Sequence, residues 1–130
     1  MIVLDTHALV WWATGDIQLG SHAKEATEAE KWDGEILISA ISAWEVAMLA
    51  KAGRLILAMD TAAWLDTVAQ IPAIRFVPVD VCISILSVDL PDFHKGPADC
   101  FIVATARHFC APLVTADTKI RNYPHVRTIW

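Results

Sequence analysis

The sequence predicts an α/β fold of three layers, helix, sheet and helix, around a central parallel sheet of about five short strands. Two observations carry this. Short β-branched or Leu-rich runs recur along the chain without strict alternation, as strands covered on both faces should be. Between them lie stretches with helical composition and helix-start signals. Strand alternating with helix gives a parallel sheet with helices on both sides. A length of 130 residues suits one domain, and residues 1–130 are expected to form it.

The elements follow in order. Ile2–Leu4 reads as the first strand, and Thr6–Ala13 as a helix. Ser21–Lys31 is rich in Ala, Glu and Lys, with Ser21 as its expected N-cap. Ile36–Ser39 is the second strand. Ala40–Lys51 is a nearly all-apolar helix that stops near Gly53. Thr61–Gln70 is a helix capped by Asp60 or Thr61, and Arg75–Val77 is the third strand. Val81–Ser87 is a shorter helix. Pro97–Phe109 begins with proline in its first turn, where the missing N–H costs nothing. Leu113–Thr115, a short helix after Asp117, and Val126–Ile129 complete the pattern. No repeat or low-complexity segment interrupts it.

The chain is 55% hydrophobic and 19% charged, with a mean hydropathy of +0.44. No apolar run approaches the roughly 18 residues of a membrane span. No basic region precedes an apolar stretch at the N-terminus, so no signal peptide is expected. The apolar excess suggests a covered partner surface, from a homodimer or a bound peptide; the alternative is a well-filled core. Cys82, Cys100 and Cys110 form no CxxC pair, which points to a reducing, cytoplasmic setting. His7, His94 and His108 share no metal-ligand spacing. Trp11 and Trp12 point about 100° apart on a helix, so one is expected in the core and the other toward a partner. The formal charge is −5, which weighs against a nucleic-acid binder.

Four acids stand out. Asp5 and Asp117 each follow an apolar run, in IVLDT and PLVTAD. Ligands of parallel sheets sit beyond the carboxyl ends of the strands, so both aspartates arrive at one rim. Each also has a plain structural role available, as a helix N-cap. Asp99, two residues after Pro97, lies in a first turn where the helix dipole favours an anion. Glu45 is the only charge in AISAWEVAMLA. Ile41, Trp44 and Met48 would form one apolar stripe, widened by Val46 and Leu49, with Glu45 on or beside a buried face. Lys51 and Arg54 are not at helix-pair spacing from it. Together the four acids fit an oxygen-ligand site for Mg²⁺, with Mn²⁺ as a substitute, and such sites serve phosphate chemistry.

At these residues the chain resembles the PIN-domain ribonucleases, specifically the VapC-like toxins of toxin–antitoxin pairs. IVLDTHALVWW resembles the family opening, with Asp5 as the first acid and Thr6 beside it. ISAISAWEVAMLAKAGRL resembles the second motif, with Glu45 in the acid position. GPADCFIVATA carries Asp99 and LVTADTKI carries Asp117. The likeness extends to the closing YPHVRTIW. It implies a metal-dependent endoribonuclease in which Asp5 and Asp99 bind metal directly, while Glu45 and Asp117 complete the cluster. It further implies 5′-phosphate and 3′-hydroxyl RNA products, a homodimer, and an antitoxin whose tail fills the groove.

The sequence departs from the family twice. Where the family usually reads Asp-Pro-x-Asp-Arg, this chain has Gly96-Pro97-Ala98-Asp99-Cys100, losing one acid and one cation. The charge objection softens with metal, since each divalent ion offsets two negative charges. Lys95, Arg107, Lys119 and Arg121 flank the last two motifs and are candidate contacts to an RNA backbone. Two alternatives remain. The chain could be a catalytically weakened module that chiefly binds its antitoxin. A haloacid-dehalogenase-like phosphatase also opens strand-then-Asp, but needs an acid where this chain has His7, and no GxxxxGK(S/T) loop is present.

Overall fold

A computed structural model describes residues 1–130. Five parallel strands form one sheet in the order β3-β2-β1-β4-β5. They are β1 (Ile2–Leu4), β2 (Ile36–Ser39), β3 (Ile74–Val77), β4 (Leu113–Val114) and β5 (Thr128–Ile129). The helices are α1 (Thr6–Thr14), α2 (Ser21–Asp33), α3 (Ala40–Lys51), α4 (Thr61–Ala69), α5 (Val81–Val88), α6 (Pro97–His108) and α7 (Thr118–Arg121). No helix is long and apolar enough to cross a membrane.

Alternation along the central strands divides the core between two faces. Ile2 and Leu4 of β1, Ile36 and Ile38 of β2, and Val114 of β4 join one cluster with residues of α1, α2 and α4. Val3, Leu37 and Leu113 point the other way and join residues of α5, α6 and α7. Every one of these strand residues is essentially inaccessible, which is why the three strands show no polar alternation. The edge strands differ from expectation. In β3, Arg75 is exposed and Phe76 only partly covered, and both residues of β5 are partly covered. Each edge strand has only one neighbour to shield it. Val126 and Arg127 are outside β5: Val126 packs into the second core, while the Arg127 carbonyl accepts from the Leu113 amide ahead of the register pairs at Thr128 and Ile129.

The expected N-cap Ser21 is instead the first residue of α2, and Gly20 occupies the cap. A Cβ at Gly20 would sit 3.0 Å from the backbone carbon of Trp130, so a larger residue there would push Trp130 by a few tenths of an ångström. Asp60 caps α4 by accepting from the Ala63 amide. In α3 the expected stripe is turned. Trp44 and Met48 are exposed, while Ser42 and Val46 are buried. That helix is apolar on nearly every side, so its sequence pattern did not define the inner face. Small Ser42 lets α3 approach α1 closely enough for a hydroxyl contact. Neither Trp11 nor Trp12 is fully buried; both pack against the rim of the first core.

Candidate active site

The sheet order reverses at β1: the chain moves from β1 to β2 and β3 on one side, then to β4 and β5 on the other. A crevice opens beyond the carboxyl ends of β1 and β4, as such switch points require. Asp5 follows β1 and caps α1, accepting from the Thr6 amide at 2.8 Å on Oδ1. Its Oδ2 accepts from the Thr115 hydroxyl at 2.7 Å. The same hydroxyl oxygen accepts from the Asp117 amide at 3.1 Å. Thr115 therefore ties the end of β1 to the loop after β4. Asp117 caps α7 by accepting from the Ile120 amide. The cap role and the rim position coincide in both aspartates, because the helix starts are themselves at the rim.

Glu45 comes from the inner side of α3. Its Oε1 accepts from the Thr6 hydroxyl at 2.6 Å, and Thr6 Oγ1 lies 2.9 Å from Ser42 Oγ. Asp99 comes from the first turn of α6. The four acids line one cavity of about 260 Å³, together with Thr6, His7, Trp11 and Arg54.

Electrostatics follow from this crowding. Burial pushes the Glu45 carboxyl above the ordinary range; the Thr6 hydrogen bond opposes this, and repulsion from Asp5 and Asp99 adds to it. Burial also raises Asp99, opposed by the Lys95 ammonium and reinforced by Asp5 and Asp117. Burial would raise Asp117 too, but the Lys95 hydrogen bond and the Ile120 amide prevail and hold it below the ordinary range. Lys95 Nζ donates to Asp117 Oδ2 at 2.7 Å and lies 3.7 Å from Asp99 Oδ2.

No three His, Cys, Asp or Glu side chains converge into a ready-made metal cage, which is looser than four acids sharing an ion. Like charges spread when nothing neutralises them, and Thr6 and Lys95 hold Glu45 and Asp117 in separate hydrogen bonds. The donor set nonetheless fits a hard divalent ion. Its four acids supply carboxylate oxygens, and burial, with repulsion between the acids, raises the carboxyls of Glu45 and Asp99. Mg²⁺ keeps several waters and needs only one or two direct carboxylates.

Several residues of the site carried no sequence signal. His7 Nε2 accepts from the Ala116 amide at 2.8 Å, so its proton sits on Nδ1, 3.7 Å from Asp5 Oδ2. Arg54 lines the cavity although it is too far along the chain to pair with Glu45 as a helix neighbour. Thr115 was visible only as the end of a strand. Of the flanking cations, Lys95 faces the acids rather than solvent, and Arg107 donates to the His125 carbonyl. At the two departures, Gly96 caps α6 without a side chain and Cys100 packs against the second core.

A family model described as the PIN domain matches residues 2–126. The chain belongs to the PIN-domain family. This PIN domain is 34% identical over 132 residues to Ribonuclease VapC22 of Mycobacterium tuberculosis, covering 99% of this chain and 98% of the relative. Its fold is shared by VapBC2 from Rickettsia felis, solved bound to a promoter DNA fragment. That match has a TM-score of 0.71 at 18% identity and covers 98% of this chain and 97% of the other. A toxin–antitoxin complex from Klebsiella pneumoniae matches with a TM-score of 0.65 at 25% identity, covering 97% and 95%.

Proposed function

We propose that this PIN domain is a VapC-type ribonuclease toxin, a divalent-metal-dependent endoribonuclease inhibited by a cognate antitoxin. The observation that carries the proposal is the meeting of Asp5, Glu45, Asp99 and Asp117 around one solvent-open cavity at the switch point. The likeness to Ribonuclease VapC22 along nearly the full length supports it.

Asp5 and Asp99 are assigned as direct ligands of Mg²⁺ or Mn²⁺, with Glu45 and Asp117 completing the cluster directly or through water. A divalent ion bound there supplies positive charge against the phosphate oxygens and strengthens water as a nucleophile. The chain's own residues do the rest. Thr115 and the Thr6 amide fix the two oxygens of Asp5. Thr6 orients Glu45 through Oε1 and leaves Oε2 free to take a proton from the attacking water. Burial and the neighbouring acids raise the proton affinity of Glu45, which strengthens it as a base. Arg54, on the wall of the same cavity, is placed to meet a phosphate of the RNA. In-line attack then breaks the bond from phosphorus to the 3′ oxygen, which takes up a proton from solvent, leaving a 5′-phosphate and a 3′-hydroxyl.

An apolar groove of about 530 Å³ supports the antitoxin. Trp12, Ile56, Met59 and Trp64 are among its walls. Leu55, beside Ile56, lines the acid cavity, so one extended segment can cover the groove and reach the acids. Ile56 is 92% exposed, as suits a residue awaiting a partner. Homodimerisation in the cytoplasm belongs to the same proposal, supported by the exposed Val81, Ile85 and Val88 on α5.

The test is cleavage of a labelled RNA by purified, antitoxin-free protein. Cleavage in Mg²⁺ that stops on chelation, and is inhibited by the antitoxin, is expected. RNA left intact in both Mg²⁺ and Mn²⁺ favours the weakened, antitoxin-binding alternative and refutes the enzyme.

A further inference from the structure

Lys95 occupies a position that the proposed chemistry does not use. It stands in the segment ahead of α6, only 22% exposed at its side chain, and its ammonium turns inward between two acids of the cluster. Asp117 Oδ1 is taken by the Ile120 amide, and Oδ2 by Lys95 Nζ at 2.7 Å. Asp99 Oδ2 is 3.7 Å from the same ammonium. No other Lys or Arg makes an ion pair with a cluster acid. A divalent ion placed on Asp117 Oδ2 would be set directly against the ammonium, and two cations on one oxygen repel. The neighbouring position adds to this. Gly96 brings no carboxylate, and open space surrounds it, so Lys95 reaches the rim with no acid at the next position of the chain.

We propose that Lys95 is a tethered counter-ion of the acid cluster, which competes with a divalent ion for Asp117. This rests on the metal-dependent reading of the site. In the metal-free protein Lys95 neutralises part of the repulsion among the acids and lowers their affinity for metal. On metal binding it is released toward the open side of the cavity. Lys95 is thus a positioning residue that sets how much divalent ion the site demands.

The test is Mn²⁺ binding by isothermal titration calorimetry, with no RNA present, on the full chain. Lys95→Met should bind Mn²⁺ about fivefold more tightly than the unchanged protein, the scale of a partly exposed ion pair. Lys95→Gln should behave in the same way, guarding against a packing artefact of one variant. Lys119→Met removes the same charge from α7, where Lys119 makes no ion pair, and should change the affinity by less than about twofold. The metal-free melting temperature should fall in both Lys95 variants, and the Mn²⁺-induced rise should grow. Equal Mn²⁺ affinity with and without Lys95, or an equal gain in Lys119→Met, overturns the counter-ion role and leaves the metal site standing. Absence of Mn²⁺ binding in all four proteins overturns the metal site and the counter-ion role together.

Discussion

Glu45→Gln separates a metal-site acid from a structural ion pair. Glu45 has no cationic partner within ion-pairing distance, so the change strands no buried cation and avoids the loss of about 3–5 kcal/mol that stranding brings. What changes is the hydrogen bond from Thr6 at 2.6 Å. A bond to a charged acceptor becomes one to a neutral carbonyl, which costs about 1 kcal/mol. Opposing this, a half-buried charge repelled by Asp5 and Asp99 disappears, a gain of similar order for a group still partly solvated. The net effect is within about 1 kcal/mol, or about 4 °C in melting temperature for a chain of this size. Metal should discriminate more sharply. At 100 times its Kd, an ion stabilises the native protein by about 2.7 kcal/mol, whereas a variant binding tenfold more weakly gains about 1.4 kcal/mol. Thermal melts with and without Mg²⁺ provide the assay. Equal Mg²⁺ shifts in both proteins, combined with a loss above about 3 kcal/mol in the variant, would refute the role assigned to Glu45.

Three further outcomes are expected. The pH dependence of the metal-free protein carries two opposite signs. Glu45 and Asp99 have raised folded values, so their ionisation penalises the fold fully above those values, and the penalty vanishes as pH falls to the ordinary range near about 4. Asp117, held low, stabilises above its ordinary value and loses this as pH falls through its folded one. Asp99→Asn should therefore melt higher than the unchanged protein at neutral pH, with the gap closing near pH of about 4; a gap independent of pH counts against the crowding. Gly96→Asp should be accommodated, since φ is −63° and nothing lies within 4 Å of an added Cβ. It supplies α6 with the N-cap side chain it lacks, worth a few tenths of a kcal/mol, about 0.3. Mn²⁺ titration of the same variant should show tighter binding from the added carboxylate, and weaker binding would contradict it. Sedimentation at micromolar concentration should reveal a two-chain species, whereas a monomer alone argues against the dimer.

The three central strands were legible because each is covered on both faces and shows it as an unbroken apolar run, as in Ile36, Leu37 and Ile38 of β2. The edge strands were less so. Arg75 interrupts β3 from an exposed position, and Val126 looks like strand sequence but serves the second core. The four acids were visible because three of them stand at element starts and Glu45 is isolated in an apolar helix. Their partners were not. Thr115 meets Asp5 across 110 positions, and Lys95 meets Asp117 across 22; such pairings arise from sheet order, not from local spacing. The face of α3 was read only in part: Val46 turns inward as expected, but Trp44 and Met48, as apolar as any core residue, stay exposed, and only the neighbouring helices decide that Ser42 takes their place.

The central claim is that the acid cluster cleaves RNA with the help of a divalent ion. The most direct measurement is the single-turnover cleavage rate of a labelled RNA in Mn²⁺, comparing the unchanged, antitoxin-free protein with Asp99→Asn and resolving the product ends. Asp99→Asn keeps the shape of the side chain and removes its charge. Cleavage to 5′-phosphate and 3′-hydroxyl ends by the unchanged protein is expected, with at least about a hundredfold loss in a variant that still folds and melts cooperatively. A near-equal rate in the two proteins would reduce Asp99 to a helix-end charge and contradict the claim.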